Sequence, residues 1–157
     1  VRLGRPSATR EEVLRALDLA QCRDILDKLP QGMDTVIGAG GTYLSGGEQQ
    51  RIAIARVILQ DAPIVLMDEA TAFADPDNES KVQAAFANLA QGKTVVMIAH
   101  RLSTVRNVDR IYVIRDGTVV EQGTYQDLMA QNGLFRQMWD NYQTAAQWKV
   151  AREEVQA

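Results

Sequence analysis

Two adjacent carboxylates, Asp68 and Glu69, follow the apolar run "IVLM", and the single histidine, His100, closes a second apolar run, "TVVMIA". An acid at the end of a buried strand can hold Mg²⁺, mostly through water, because Mg²⁺ gives up its hydration shell reluctantly. A carboxylate next to it can polarise an attacking water as a general base. A neutral imidazole at the end of a neighbouring strand can bridge that water and a phosphate oxygen. Each residue also has a plainer reading. Acids commonly start loops, and a histidine at a strand edge can simply be hydrogen-bonded there.

The third candidate carries no charge. In "YLSGGEQQRIAIARVIL", residues 43–59, Gly46 and Gly47 stand between a serine and a glutamate at the head of an apolar run. Ser45 and Glu48 have the spacing of a capping box, so a helix is predicted from Gly46 to about Gln60, with Pro63 forbidding continuation. Such a helix start offers unpaired N–H groups and a partial positive charge, which suit a phosphate. Two look-alikes fall away. "ANLAQGKT", residues 87–94, nearly spells the G-x-x-x-x-G-K-[ST] phosphate loop, but it ends a helix and leads into a strand, the reverse of what that loop needs. "GAGG", residues 38–41, lacks the spacing of a dinucleotide fingerprint and reads as a loop.

The elements that must position these residues follow from periodicity. "TREEVLRALDLA" opens with a capping box, Thr9 with Glu12, and repeats apolar residues at Val13, Leu14, Leu17 and Ala20. A second helical stretch carries Cys22, Ile25, Leu26 and Leu29 and stops at Pro30. "PIVLMDEA" and "TVVMIAH" read as strands buried on both faces. Between them, Asp75 suits an N-cap, Pro76 a first turn and Gly92 a C′ position, with Val82, Ala85, Phe86 and Leu89 facing inward. "RIYVIRDGTVVEQG" is a hairpin by its Asp116-Gly117 turn. A short helix capped by Thr124 and Asp127 follows. The last helix packs on Leu134, Phe135, Met138, Trp139 and Tyr142, and from Gln143 the pattern fades into a frayed tail. Strands alternating with helices imply a mostly parallel sheet, whose sites lie at the strand C-termini.

The chain as a whole narrows the classes. It has 157 residues, 46% apolar and 24% charged, enough for one core and an ordinary surface. A net charge of −3 gives no basic footprint for nucleic acid, and Arg101, Arg106 and Arg110 read as a solvated face. The lone Cys22 falls at an apolar helical position and reads as a buried structural thiol. No apolar run approaches the ~18 residues of a membrane span, and the charged first residues do not read as a signal peptide. The chain starts on Val1 rather than Met.

Taken together, these stretches resemble the ATP-binding domain of an ABC transporter. "LSGGEQQR" resembles the family's signature motif, "IVLMDE" its Walker B strand with the catalytic glutamate, and Asp75 in "DEATAFAD" the D-loop aspartate. "IAHRLSTV" resembles the switch-histidine loop of the exporter-type subgroup. The flanks "LPQGMDTVIGAGGTYLSGGEQQR" and "DRIYVIRDGTVVEQGTYQDLMAQNGLF" match as well. The likeness covers about the first 140 residues.

The resemblance implies an α/β fold, part of a P-loop NTPase (ABC-type) nucleotide-binding domain, with a mostly parallel sheet flanked by helices and part of a helical subdomain. Residues 1–60 would be the subdomain portion with the signature, 61–142 the C-terminal part of the catalytic core and 143–157 a tail. It also implies two such domains dimerising head-to-tail, identical or paralogous, with ATP between them. Ser45, Gly46, Gly47 and Glu48 would then serve a nucleotide held by the partner. On the home side Asp68 would hold Mg²⁺, Glu69 would be the general base, His100 would contact the γ-phosphate, and Asp75 would couple the sites. A transmembrane domain fused upstream would place the protein at the cytoplasmic face of a membrane, with these residues themselves soluble. The family's phosphate loop, adenine-stacking aromatic and Q-loop glutamine lie upstream of the signature, and "VRLGRPSATREEV" resembles the stretch just after the Q-loop. The chain therefore reads as the C-terminal portion of such a domain, inactive by itself. The usual S-A-L-D of the D-loop is replaced by Ala72, Phe73, Ala74 and Asp75, similar to half-transporters linked to bacterial siderophore-iron uptake. A non-transport ABC-type ATPase acting on nucleic acid or ribosomes is the alternative, but it usually carries long coiled coils or basic surfaces.

Overall fold

The computed structural model describes the backbone of residues 1–38, 40–68, 76–99 and 102–155, and their side chains except at 76, 77, 103 and 145–155. The chain divides into two compact units, Val1–Ile98 and Ala99–Ala157.

Among its described residues the first unit contains four α-helices, α1 (Arg10–Leu19), α2 (Arg23–Lys28), α3 (Gly46–Gln60) and α4 (Pro76–Ala90), and two strands, β1 (Ile64–Asp68) and β2 (Thr94–Ile98). The capping box at α1 is formed: Thr9 Oγ1 accepts from the Glu12 N–H at 3.2 Å, and Glu12 Oε2 accepts from the Thr9 N–H at 2.7 Å. Two donors that the helix cannot satisfy internally are thereby paired. Helix α3 spans the range its capping box and Pro63 predict. It ends at Asp61, which turns into the left-handed region at φ 57°. Gly92, predicted as the C′ residue of α4, has φ 68°, a conformation glycine adopts without steric cost.

The core of this unit joins Val13, Ala16 and Leu17 of α1, Ile25 of α2, Ile52, Ala55 and Leu59 of α3, and Val82, Ala85 and Leu89 of α4. Each large aliphatic side chain buried this way contributes about 1.5–3 kcal/mol. Cys22 is fully buried in the same core, and burial pushes its thiol up to about 12, so it stays protonated and inert at neutral pH.

Strands β1 and β2 pair in parallel, from Ile64 opposite Thr94 to Asp68 opposite Ile98. The expectation that both faces are buried needs correction. Val65 is buried and Met67 and Val95 pack on the core, whereas Ile64, Leu66, Val96 and Ile98 on the other face are 52–78% exposed. The helices of this unit that bury Val65 lie on one side of the sheet, so within this chain they leave the alternate residues of each strand uncovered.

The second unit opens with a 3-10 turn, Leu102–Asn107, followed by β3 (Ile111–Arg115), β4 (Thr118–Gly123), α5 (Tyr125–Gln131) and α6 (Leu134–Val155). The two strands form the predicted antiparallel hairpin, with φ 52° at Asp116 and 76° at Gly117. Positive φ at both central residues gives the turn whose twist suits a tight hairpin. Ile111, Val113, Leu128, Phe135 and Trp139 form the core, with the Tyr125 ring edge-on to Trp139 at 4.9 Å. Glu121 caps α6 by accepting the N–H groups of Leu134 and Phe135 at 2.5 and 2.9 Å. Two details differ from expectation. Met138 lies at the edge of the buried stripe and is 43% exposed. The pattern fades after Gln143, yet α6 continues to Val155, through most of the "VAREEVQA" stretch expected to fray. This part of the helix contains no Gly or Pro and is rich in Ala, Gln, Lys, Arg and Glu, all residues of high helix propensity.

Candidate functional site

Residues 45–48 come together on a single turn at the start of α3. Ser45 has extended backbone, and its Oγ accepts the Glu48 N–H at 3.3 Å. Glu48 answers by accepting the Ser45 N–H at 2.9 Å, and Lys28 Nζ lies 3.4 Å from its other oxygen. Burial alone would raise the Glu48 pKa, but the Ser45 hydrogen bonds and Lys28 outweigh it and hold the carboxyl below its ordinary value. The only acid of the first turn is thus turned back onto the protein. Ser45 and Gly46 are exposed, whereas Gly47 is buried. Helix geometry leaves the Gly46 and Gly47 N–H groups without a carbonyl four residues back in the helix. The Ser45 hydroxyl, an acceptor in the cap, retains its proton as a donor. Such a turn can hydrogen-bond an anion that approaches the axis of α3.

Behind the turn lies a polar cluster that periodicity alone did not flag. Arg51 is fully buried. Its guanidinium forms a two-pronged pair with Asp24 of α2, at 2.7 and 3.2 Å, and also donates to the Gln21 carbonyl and, at 3.2 Å, to Asn78 Oδ1 of α4. Lys81 Nζ reaches the second Asp24 oxygen at 2.7 Å. Burial would raise the Asp24 pKa, yet hydrogen bonds from Arg51 and Lys81 outweigh it and hold the carboxyl well below the usual carboxylate range. The cluster ties α2, α3 and α4 together at the height of the glycine turn. A signal was present: Gly47, Arg51, Ala55 and Leu59 recur every four residues, so Arg51 falls in phase with the core stripe.

Asp68 belongs to a different element. It ends β1 directly opposite Ile98 of β2, so the two strands are neighbours and run in the same direction. Glu69, Asp75 and His100 lie outside the described residues. Asp68 is exposed at the strand end, a hard oxygen donor suited to Mg²⁺ in the mode where one carboxylate shares the ion with water and phosphate. Among the described residues, no group of three or more His, Cys, Asp or Glu forms an all-protein metal cage. The phosphate-loop look-alike is excluded by its surroundings. Its Lys93 follows α4, leads into β2, and lies 2.5 Å from Asp61 Oδ1.

Comparison with known proteins agrees with this arrangement. The profile of the ABC transporter family matches residues 5–72. Over 130 residues the chain is 47% identical to the ATP-dependent lipid A-core flippase of Vibrio cholerae, covering 83% of this chain and 22% of that protein. It is equally, 47%, identical over 141 residues to the mycobactin import ATP-binding/permease protein IrtA of Mycolicibacterium thermoresistibile, covering 90% of this chain and 15% of the relative. The solved structure of a bacterial Atm1-family ABC exporter with ATP bound superposes with a TM-score of 0.78 at 42% identity, over 88% of this chain and 24% of that one. The chain thus spans about a quarter or less of each of these proteins. A likeness this long, running through the signature turn and both parallel strands, makes the chain a member of the ABC transporter family, within its ATP-binding part.

Proposed function

We propose that this chain is part of the ATP-hydrolysing subunit of an ABC transporter, in which ATP binding and hydrolysis at a head-to-tail dimer interface drive a solute across a membrane. The observation that carries the reading is the signature turn, which presents Ser45 and Gly46 to solvent while its own acid, Glu48, is sequestered by Ser45 and Lys28. Donors arranged this way suit the γ-phosphate of a nucleotide held by a second ABC domain. Exposed turn donors alone would hold such a nucleotide weakly, so the partner supplies the main phosphate cradle.

Residues 1–60 then act as the helical portion that carries the signature, and 61–142 as the C-terminal part of the catalytic core. On the home side, Asp68 would hold Mg²⁺, which when bound neutralises charge on the phosphates. Glu69 accepts the proton of the attacking water, His100 fixes the γ-phosphate oxygens, and Asp75 reaches across the interface. The subunit works at the cytoplasmic face of a membrane together with a transmembrane domain. Among the described residues no helix is long and apolar enough to cross a membrane. The relatives include a flippase for lipid A-core and an importer of mycobactin at equal identity. The motor sequence therefore tracks ATP chemistry rather than cargo, and a siderophore rests on the D-loop likeness and the importer alone.

The test is ATP turnover by the full-length protein in lipid vesicles, with Glu69→Gln beside it. Turnover should fall by about 10²–10⁴-fold while Mg-ATP binding persists. Unchanged turnover in that variant would remove Glu69 as the base. Stimulation by DNA or ribosomes rather than by a transported solute would favour a non-transport ATPase.

A further inference from the structure

The exposed part of the signature turn is held from behind by one residue of α4. A Cβ placed on Gly47 would lie 3.0 Å from Asn78 Cβ and 3.1 Å from Asn78 Cγ, distances at which a neighbour has to move. Asn78 Oδ1, which would lie 3.4 Å from that Cβ, accepts from Arg51 Nη2 at 3.2 Å. Arg51 cannot yield easily, because it is fully buried and gripped by Asp24. Asn78 therefore stands between the glycine backbone of the turn and a buried, immobilised guanidinium.

We infer that Asn78 is a positioning residue for the signature turn, seating Gly47 and, through Arg51, setting the angle at which Ser45 and Gly46 offer their donors to the partner-held nucleotide. Two consequences follow. Glycine at position 47 is required by packing inside this chain, independently of any ligand. The acceptor on Asn78, rather than its bulk alone, is what the turn depends on. The nucleotide half of the inference rests on the proposed function, whereas the Gly47–Asn78 contact does not.

Two measurements on the full-length protein decide it. In the first, hydrogen exchange is followed without nucleotide for residues 44–52. Gly47→Ala should speed exchange there about fivefold, and Asn78→Gly in the same background should reverse much of that change. Simple addition of the two effects, or no effect of Gly47→Ala, overturns the contact. In the second, steady-state ATPase is compared for Asn78→Ala and Asn78→Asp, the latter keeping an acceptor for Arg51. Asn78→Ala should raise the KM for ATP about fivefold with kcat within about twofold, and Asn78→Asp should restore the KM. An unchanged KM, or an Asp variant no better than Ala, overturns the positioning role. Should the unsubstituted protein hydrolyse no ATP, the transporter reading fails and the exchange measurement alone decides the inference.

Discussion

Helices α1 and α3 begin with the same reciprocal cap, Thr9 with Glu12 and Ser45 with Glu48, and they part company one residue later. After its cap, α1 continues with Arg10 and Glu11, so its first turn carries side chains and an acid directed to solvent. Helix α3 continues with two glycines, and its acid is drawn back by Lys28. The anchorage differs as well. The polar ties of α1 are the exposed or part-exposed pairs Arg10–Asp34, Arg5–Glu12 and Arg23–Asp18, whereas α3 is held by the buried Arg51 and its clamp on Asp24. A cap makes a helix start stable. It becomes a docking point for an anion only when the turn is stripped of side chains and braced from behind.

Four experiments would break or sharpen that contrast. Asp24→Ala leaves the buried Arg51 guanidinium without its carboxylate and should destabilise the fold by about 3–5 kcal/mol, read from the denaturation midpoint. The matching surface change, Arg10→Met, should move the midpoint far less, and equal losses would mean that the two anchors are equivalent. Next in size is Gly46→Asp, which gives α3 the kind of first-turn acid that α1 has. Turnover by the full-length protein should drop by about 100-fold with folding intact, since acids suit a helix N-terminus. Retained turnover would show that no phosphate comes near residue 46.

Ser45→Ala and Thr9→Ala should each cost about 1 kcal/mol of stability by losing a cap. Only the former should slow ATP turnover, by roughly tenfold, and a similar loss in Thr9→Ala would assign the effect to folding alone. The smallest effect is on pH dependence. Glu48 and Glu12 are both held below the ordinary carboxyl value, Glu48 by the Ser45 bonds and Lys28 against the pull of burial, Glu12 chiefly by the Thr9 N–H with Arg5 beside it. A depressed folded-state pKa gives stability that is complete above the unfolded value and lost as pH falls through the folded one. Glu48→Gln and Glu12→Gln should therefore each flatten the acid limb of a stability–pH curve. An acid limb that neither variant flattens would contradict the hold of these bonds on the two carboxylates.

Much of this was legible in the order of residues. Capping spacing, Pro63, Gly92 and the Asp116-Gly117 turn are local rules, and each element they mark is present. Acids at the end of an apolar run placed Asp68 at a strand terminus without any knowledge of its neighbours. The sidedness of β1 and β2 was not legible, because a continuous apolar run looks the same whether one face or both are covered. Only the packing of the helices on Val65, Met67 and Val95 separates them. Nor could the helix beyond Gln143 be read from a fading apolar stripe, since backbone hydrogen bonding outlasts the packing signal. The sequence by itself determined where α3 starts and which donors it offers, for both depend on residues within four positions of each other. That Gly47 is pressed by Asn78, and that Arg51 is clamped by Asp24 and Lys81, was decided only in the tertiary structure, where residues 27 to 57 positions apart in the chain meet around one buried charge.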